Sequence, residues 1–238
     1  MLKPKILAIA SALLLYHVTW SQKKFNLSVY TGSGISFFDG PAAVSSSNYY
    51  RNDLPFPEDI SEMRDSYGKK PFPNFLAGLD ANVVMSKWIV TVCVQYEHSG
   101  GSLRIDSAIT PSGSKKVNGK YSRIYDFIST NPQVGRILIQ KKVTLALHTG
   151  IDYCSMLEWG ERFDWTDQNG QVASTLLSGG RPDNDDLRIT FGATVAIKKW
   201  TLGVNYKHGV ANCDPSGELV YSRLLQFRLQ YTFLSKRI

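Results

Sequence analysis

The chain has 238 residues, with 27 Lys and Arg against 20 Asp and Glu, a formal net charge of +7 and a mean hydropathy of −0.18. That length is enough for one β domain. No apolar run of helix-spanning length follows the first two dozen residues, which excludes a helical membrane protein. The same mean is expected of a barrel, where half of each strand faces a polar interior. The basic residues are scattered and accompany no nucleic-acid motif. The charge therefore reads as solvated turns and loops that can face anionic lipid, with no nucleic acid as partner.

Residues 1–21 read as a secretory signal. Lys3 and Lys5 supply a positive start, an apolar run follows, and Thr19 and Ser21 are small residues two apart, so cleavage is expected before Gln22. The run is too short to span about 30 Å of hydrocarbon and meets His17. No Cys follows it, so no lipid anchor is expected. Residues 22–238 then form one domain.

Eight strands are predicted in chain order. They cover residues 25–38, 75–85, 88–98, a stretch within 120–139, then 143–154, 187–197, 200–210 and 219–233. Most approach the length that a tilted strand needs to cross a bilayer, about 9–11 residues. The fourth contains Asn131 and Pro132. Pro cannot donate to a ladder, so either a bulge there or a strand confined to 133–139 fits.

The last strand carries the clearest pattern. Leu225, Phe227, Leu229, Tyr231 and Phe233 alternate with Gln226, Arg228, Gln230 and Thr232. Side chains alternate faces along a strand, so one face is greasy and the other wet. The connections alternate too. Ser86 and Lys87, residues 140–142, and Lys198 and Lys199 make short turns. Residues 39–74, 99–119, 155–186 and 211–218 make long ones. Short periplasmic turns and long outer loops are the habit of outer-membrane barrels. An even strand number leaves both ends on the periplasmic side. The expected fold is all-β: an eight-stranded antiparallel up-and-down transmembrane β-barrel in the cell outer membrane, monomeric, in contact with outer-membrane lipid and placed there by the barrel-insertion machinery.

Aromatic placement agrees with this. Phe25, Trp88, Trp200 and Phe233 fall at one depth and make a girdle. Tyr96, Tyr121, Tyr153, Tyr206 and Tyr221 lie near the opposite strand ends and make a second. The alternation also gives an inward list: Asp80 and Asn82; Thr91, Gln95 and Glu97; His148 and Asp152; Arg188 and Thr190; Asn205 and Lys207; Gln226, Arg228 and Gln230. Eight strands leave an interior that side chains just fill, and buried charges need partners. Asp80, Glu97 and Asp152 are therefore expected to pair with Arg188, Lys207 and Arg228. Such a network can be a gated pore, a proton path or a polar plug.

Other motifs bear on chemistry. His98 and His208 sit at strand ends near Ser99 and Ser102, where a hydrolase or acyltransferase would want a His, a carboxylate and a Ser. Nothing further supports catalysis, so no enzyme and no cofactor are expected. Residues 181–186 lack the spacing of a calcium loop and read as a hydrated turn. Gly32, Ser33 and Gly34 lie within a strand, where close packing or a kink explains them. Cys93, Cys154 and Cys213 are odd in number with no C-x-x-C, so unpaired thiols are the default, with a Cys154–Cys213 bridge as the alternative. Asp106, Ser107 and Ala108 resemble a short O-glycosylation site of Bacteroidota. In the outer loops Tyr49, Tyr50, Phe56, Tyr67, Trp159, Phe163 and Trp165 are candidates either to bind a ligand, with Trp159, Phe163 and Trp165 foremost, or to cap the barrel mouth.

The segment from Asp186 to Asn212 followed by residues 224–233 resembles the C-terminal half of the PorT-like small outer-membrane barrels of Bacteroidota. Phe191, Gly192, Ala193, Gly203, Tyr206, Gly209, Asn212 and Phe233 carry the resemblance, and the residues LSKRI after Phe233 depart from it. It implies an eight-stranded barrel of OmpA/OmpX-like architecture. Some relatives assist type IX secretion or gliding. Two other readings stand beside the non-enzymatic surface barrel: a membrane-embedded enzyme, and a secreted soluble barrel holding a small apolar ligand. The last inverts the faces, with Val90, Val92 and Val94 inward and Gln226, Arg228 and Gln230 outward.

Overall fold

The computed structural model describes residues 23–51, 61–63, 67–110, 113–166, 172–179, 185–212 and 219–238. The strands are β1 (Lys23–Asp39), β2 (Ala43–Val44), β3 (Ser46–Arg51), β4 (Ser61–Met63), β5 (Tyr67–Gly68), β6 (Phe72–Met85), β7 (Trp88–Thr110), β8 (Gly113–Gln140), β9 (Thr144–Thr166), β10 (Val172–Gly179), β11 (Asp186–Ile197), β12 (Trp200–Gly209) and β13 (Tyr221–Arg237). The proposed signal over residues 1–21, Cys213, Phe56 and residues 181–184 lie outside the described residues. So do the side chains of Tyr49, Tyr50 and Trp165.

Eight of these strands form a closed antiparallel ring in the order β1, β6, β7, β8, β9, β11, β12, β13, and β13 returns to β1. Closure leaves no unpaired edge in the ring. Ser86 and Lys198 each open a two-residue turn with positive φ, 53° and 56°, the conformation that tight hairpins use. β1 and β13 approach closely at the seam. A Cβ added to Gly34 would come within 1.9 Å of the Leu225 carbonyl oxygen, so only glycine fits there.

Two expectations are corrected. The fourth strand is continuous through Pro132 and spans β8, Gly113–Gln140. Asn131 and Pro132 stay in register with Cys93 and Val92 on β7, while the ladder to β9 steps from Thr130 to Gln133. The proline therefore costs a pairing on one side only. The long stretches 99–119 and 155–186 are also largely strand. β7, β8 and β9 run past the ring, and β10 pairs with β9. β3 joins β7 in parallel, aligning Ser46–Tyr50 with Arg104–Ile109. Together they build a wall standing above the long-connection end of the ring.

The faces are those of the last-strand reading. Val90, Val92 and Val94 are 39%, 46% and 48% exposed, while Gln226, Arg228 and Gln230 are buried in the lumen. The inverted arrangement of a soluble ligand-holding barrel is not the one observed. Above the ring the pattern reverses. On β7, Leu103 and Ile105 are buried and Arg104 is exposed. The exchange falls near Tyr96 to His98.

Candidate functional site

The upper lumen is a charged knot. Glu97 on β7 sits at its centre with Arg188 Nη1 at 2.5 Å and Lys207 Nζ at 2.9 Å. Gln226 and Gln95 donate to the same carboxylate at 2.8 and 3.2 Å. Lys207 also reaches Asp152 at 2.7 Å, and Arg188 lies 3.8 Å from Asp152. These residues come from β7, β9, β11, β12 and β13, so the knot ties five staves of the ring together. All four charged side chains are at most 1% exposed. Such charges are tolerable because each faces an opposite charge and further donors.

Asp186 is a fifth member that the sequence reading placed in a hydrated turn. It opens β11, is buried, and accepts from Arg188 Nε at 2.5 Å and from Ser222 Oγ at 2.7 Å. Its signal was present: two residues before Arg188 on a strand is the same face.

Asp80 and Arg228 lie in a lower layer and do not complete the expected pairing. Asp80 accepts from Asn82 Nδ2 at 2.8 Å and from the Cys93 thiol at 3.4 Å. Arg228 lies over the Tyr30 ring at 5.0 Å, with Nη1 3.9 Å from Cys93 Sγ. Cys93, on the register position opposite Asp80, comes between them. Cys93 and Cys154 are both free buried thiols, and Cys154 donates to Asp152.

Below this layer the lumen opens. A chamber of about 610 Å³ runs from Asp80, His148 and Arg228 down to Lys198 and Lys199 at the short-turn rim. Its walls carry Gly135, Ala146 and Ala196, too small to fill it.

The aromatic residues divide. Trp88, Trp200 and Phe233 are about half exposed at the short-turn end, and Phe25 joins them half-buried at the base of β1. Tyr153 and Tyr206 are exposed at the other end, but Tyr121 is fully buried inside the wall. There it forms an apolar cluster with Leu103, Ile105 and Phe163, with Phe163 4.9 Å from its ring. Burial pushes the Tyr121 phenol above its ordinary range, and Glu161 adds to the effect. Phe163 is therefore not an exposed binding residue. Trp159 is also a strand residue, half-buried against a second cluster that includes Phe38, Ala43, Tyr67 and Tyr125. The Arg123 guanidinium lies over the Tyr67, Tyr125 and Trp159 rings at 4.7, 5.8 and 5.3 Å. The backbone of Trp165 pairs with Gly119 and Ala173. In the sequence, Gly and charged residues separate these aromatics and mask the strand. Trp159, Phe163 and Glu161 nonetheless alternate with polar or small neighbours, which is a strand pattern.

Among the described residues, His98 and His208 have these partners. His98 Nδ1 lies 2.8 Å from Asp126 Oδ1, and its ring stacks on Phe75 at 4.8 Å. Ser99 faces the opposite side and donates to Glu97. Ser102 bonds Ser122 at 2.9 Å. His208 neighbours Tyr206 at 3.4 Å.

No protein-family model matches the chain, and no curated protein matches it in sequence. Among solved structures the chain is similar to Neisserial surface protein A at 10% identity, covering 87% of this chain and 97% of that one, with a TM-score of 0.39. It is similar to the P. putida toluene transporter TodX at 9% identity, covering 91% and 90%, with a TM-score of 0.25. It is also similar to the translocator domain of the autotransporter NalP from Neisseria meningitidis at 9% identity, covering 96% and 95%, with a TM-score of 0.21. Likeness at this level transfers no function.

Proposed function

We propose that this chain is a monomeric, non-enzymatic outer-membrane β-barrel whose strand wall stands at the cell surface as a shielding or binding structure. The observation that carries the reading is the exchange of faces along one strand. In the ring the apolar side chains point outward and the charges inward; in the wall Leu103, Ile105, Tyr121 and Phe163 point inward. An apolar belt around a polar lumen is what lipid requires, and an apolar core under a polar exterior is what water requires. The belt on β7 runs from Trp88 to about Tyr96. Nine residues at about 3.4 Å each, tilted about 40°, give a height of about 23 Å, close to the roughly 25 Å of such belts. The short turns then face the periplasm and the wall faces outward.

Outer-membrane lipid and the barrel-insertion machinery are the partners this implies. The lumen knot supports a plug rather than a pore, since its charged members are all withdrawn from solvent. The resemblance to PorT-like barrels makes a secretion accessory the finer reading, resting on Phe191 to Phe233 alone. The test is refolding of the chain without residues 1–21 into detergent, followed by electrophoresis of boiled and unboiled samples. The expected result is a faster unboiled band. A product that folds without detergent and shows no shift overturns the reading.

A further inference from the structure

The upper half of the lumen is filled, and the lower half is a cavity with a lopsided charge. Lys24, Lys198, Lys199 and Arg228 line it against one acid, Asp80. Arg228 is the deepest of these bases and is 6% exposed. Among the described residues no carboxylate lies within ion-pair distance of it. Its contacts are the Tyr30 ring, the Cys93 sulfur and Asn205, whose amide, turned so that its oxygen accepts from Arg228 Nε at 3.0 Å, donates to His148 Nε2 at 2.8 Å. The Asp80 carboxylate accepts from Asn82 and Cys93, and the Cys93 sulfur stands between it and Arg228. The guanidinium thus faces an open polar space with no carboxylate in direct contact. An anion in that space would satisfy it with charge-assisted hydrogen bonds, which a guanidinium forms in bidentate fashion with carboxylate or phosphate.

We propose that the chamber at the short-turn end binds a small free anion of the carboxylate or phosphate class, anchored on Arg228 and drawn in by the lysines of the rim. About 610 Å³ falls within the roughly 300–1,000 Å³ typical of small-molecule sites. Access is from the rim, because the Glu97 knot closes the other end. That the rim faces the periplasm rests on the membrane reading above; the binding itself does not.

The test is calorimetric titration of the folded protein in zwitterionic detergent with sodium citrate and sodium phosphate, and with glucose as a neutral solute. Saturable one-to-one binding of citrate or phosphate is expected, with none of glucose. Arg228→Gln should weaken it by about tenfold or more, the value of a charge-assisted bond. Lys120→Gln, on the wall, should leave it unchanged. Where Arg228→Gln gives no faster unboiled band, Ala146→Phe, which fills the chamber, replaces it and should also abolish binding. Phosphatidylglycerol added to the micelles should not displace citrate; displacement would assign the site to a lipid headgroup and overturn the free-anion proposal. Absence of saturable binding, equal binding by Arg228→Gln, or glucose binding as tightly would each overturn it. The gel shift reports the membrane reading separately: a chain that folds in water and still binds citrate loses the membrane and keeps the site.

Discussion

The ring and the wall share three strands, β7, β8 and β9, yet they solve opposite problems. In the ring, Val92 lies bare on the outside while Glu97 is sealed within. In the wall, Leu103 is sealed within and Arg104 lies bare, bonded to Asp106 at 2.6 Å. Residues 97 and 103 share one face of one strand, so neither backbone nor topology distinguishes them. On the membrane reading proposed above, the solvent outside does. A strand can leave lipid and enter water without a break, provided its two faces trade chemistry at the boundary. Tyr96 and His98, both bonded to Asp126, occupy that boundary on the outer face.

The largest effect that would break this comparison is loss of the knot's centre. Glu97→Gln leaves Arg188 and Lys207 with less negative charge in a sealed space, and should cost about 3–5 kcal/mol in urea unfolding from lipid vesicles. A loss below about 1 kcal/mol would mean that water reaches the knot. Leu103→Ala, on the same face in the wall, should cost about 2–5 kcal/mol through a cavity beside Tyr121 and Phe163. Val92→Arg places a charge in the middle of the belt and should cost about 2–4 kcal/mol in vesicles. Arg104→Ala, on the same face as Val92 but above the belt, removes an exposed ion pair and should cost about 0–1 kcal/mol. Equal costs for Val92→Arg and a charge introduced at an exposed wall position would remove the distinction between belt and wall.

Much of the ring was legible because its signal is local. Period-two alternation in residues 88–98 and 225–233, and the two-residue turns at Ser86 and Lys198, need no knowledge of neighbours. The inward residues of the knot followed from the same alternation, and Asp186 could have followed too. The wall was not legible as strand. Residues 99–110 and 155–166 are rich in Gly, Ser and charge, and they hold strand geometry by pairing with β8, with β3 on one side and β10 on the other. Phe163 looked exposed because its cover, Tyr121, lies on a different strand. The pairing partners inside the lumen were also hidden. Cys93 separates Asp80 from Arg228, which only the register of β6 against β7 reveals. The chamber is the extreme case, since its emptiness arises from Gly135, Ala146 and Ala196 on three strands.

The most direct measurement is face-specific labelling. In a background carrying Cys93→Ser, Cys154→Ser and Cys213→Ser, Val92→Cys and Gln230→Cys would be placed in vesicles and exposed to a lipid-soluble and a charged thiol reagent. The expected result is modification of Val92→Cys by the lipid-soluble reagent alone and of Gln230→Cys by the charged reagent alone. The reverse assignment would contradict an apolar belt around a polar lumen.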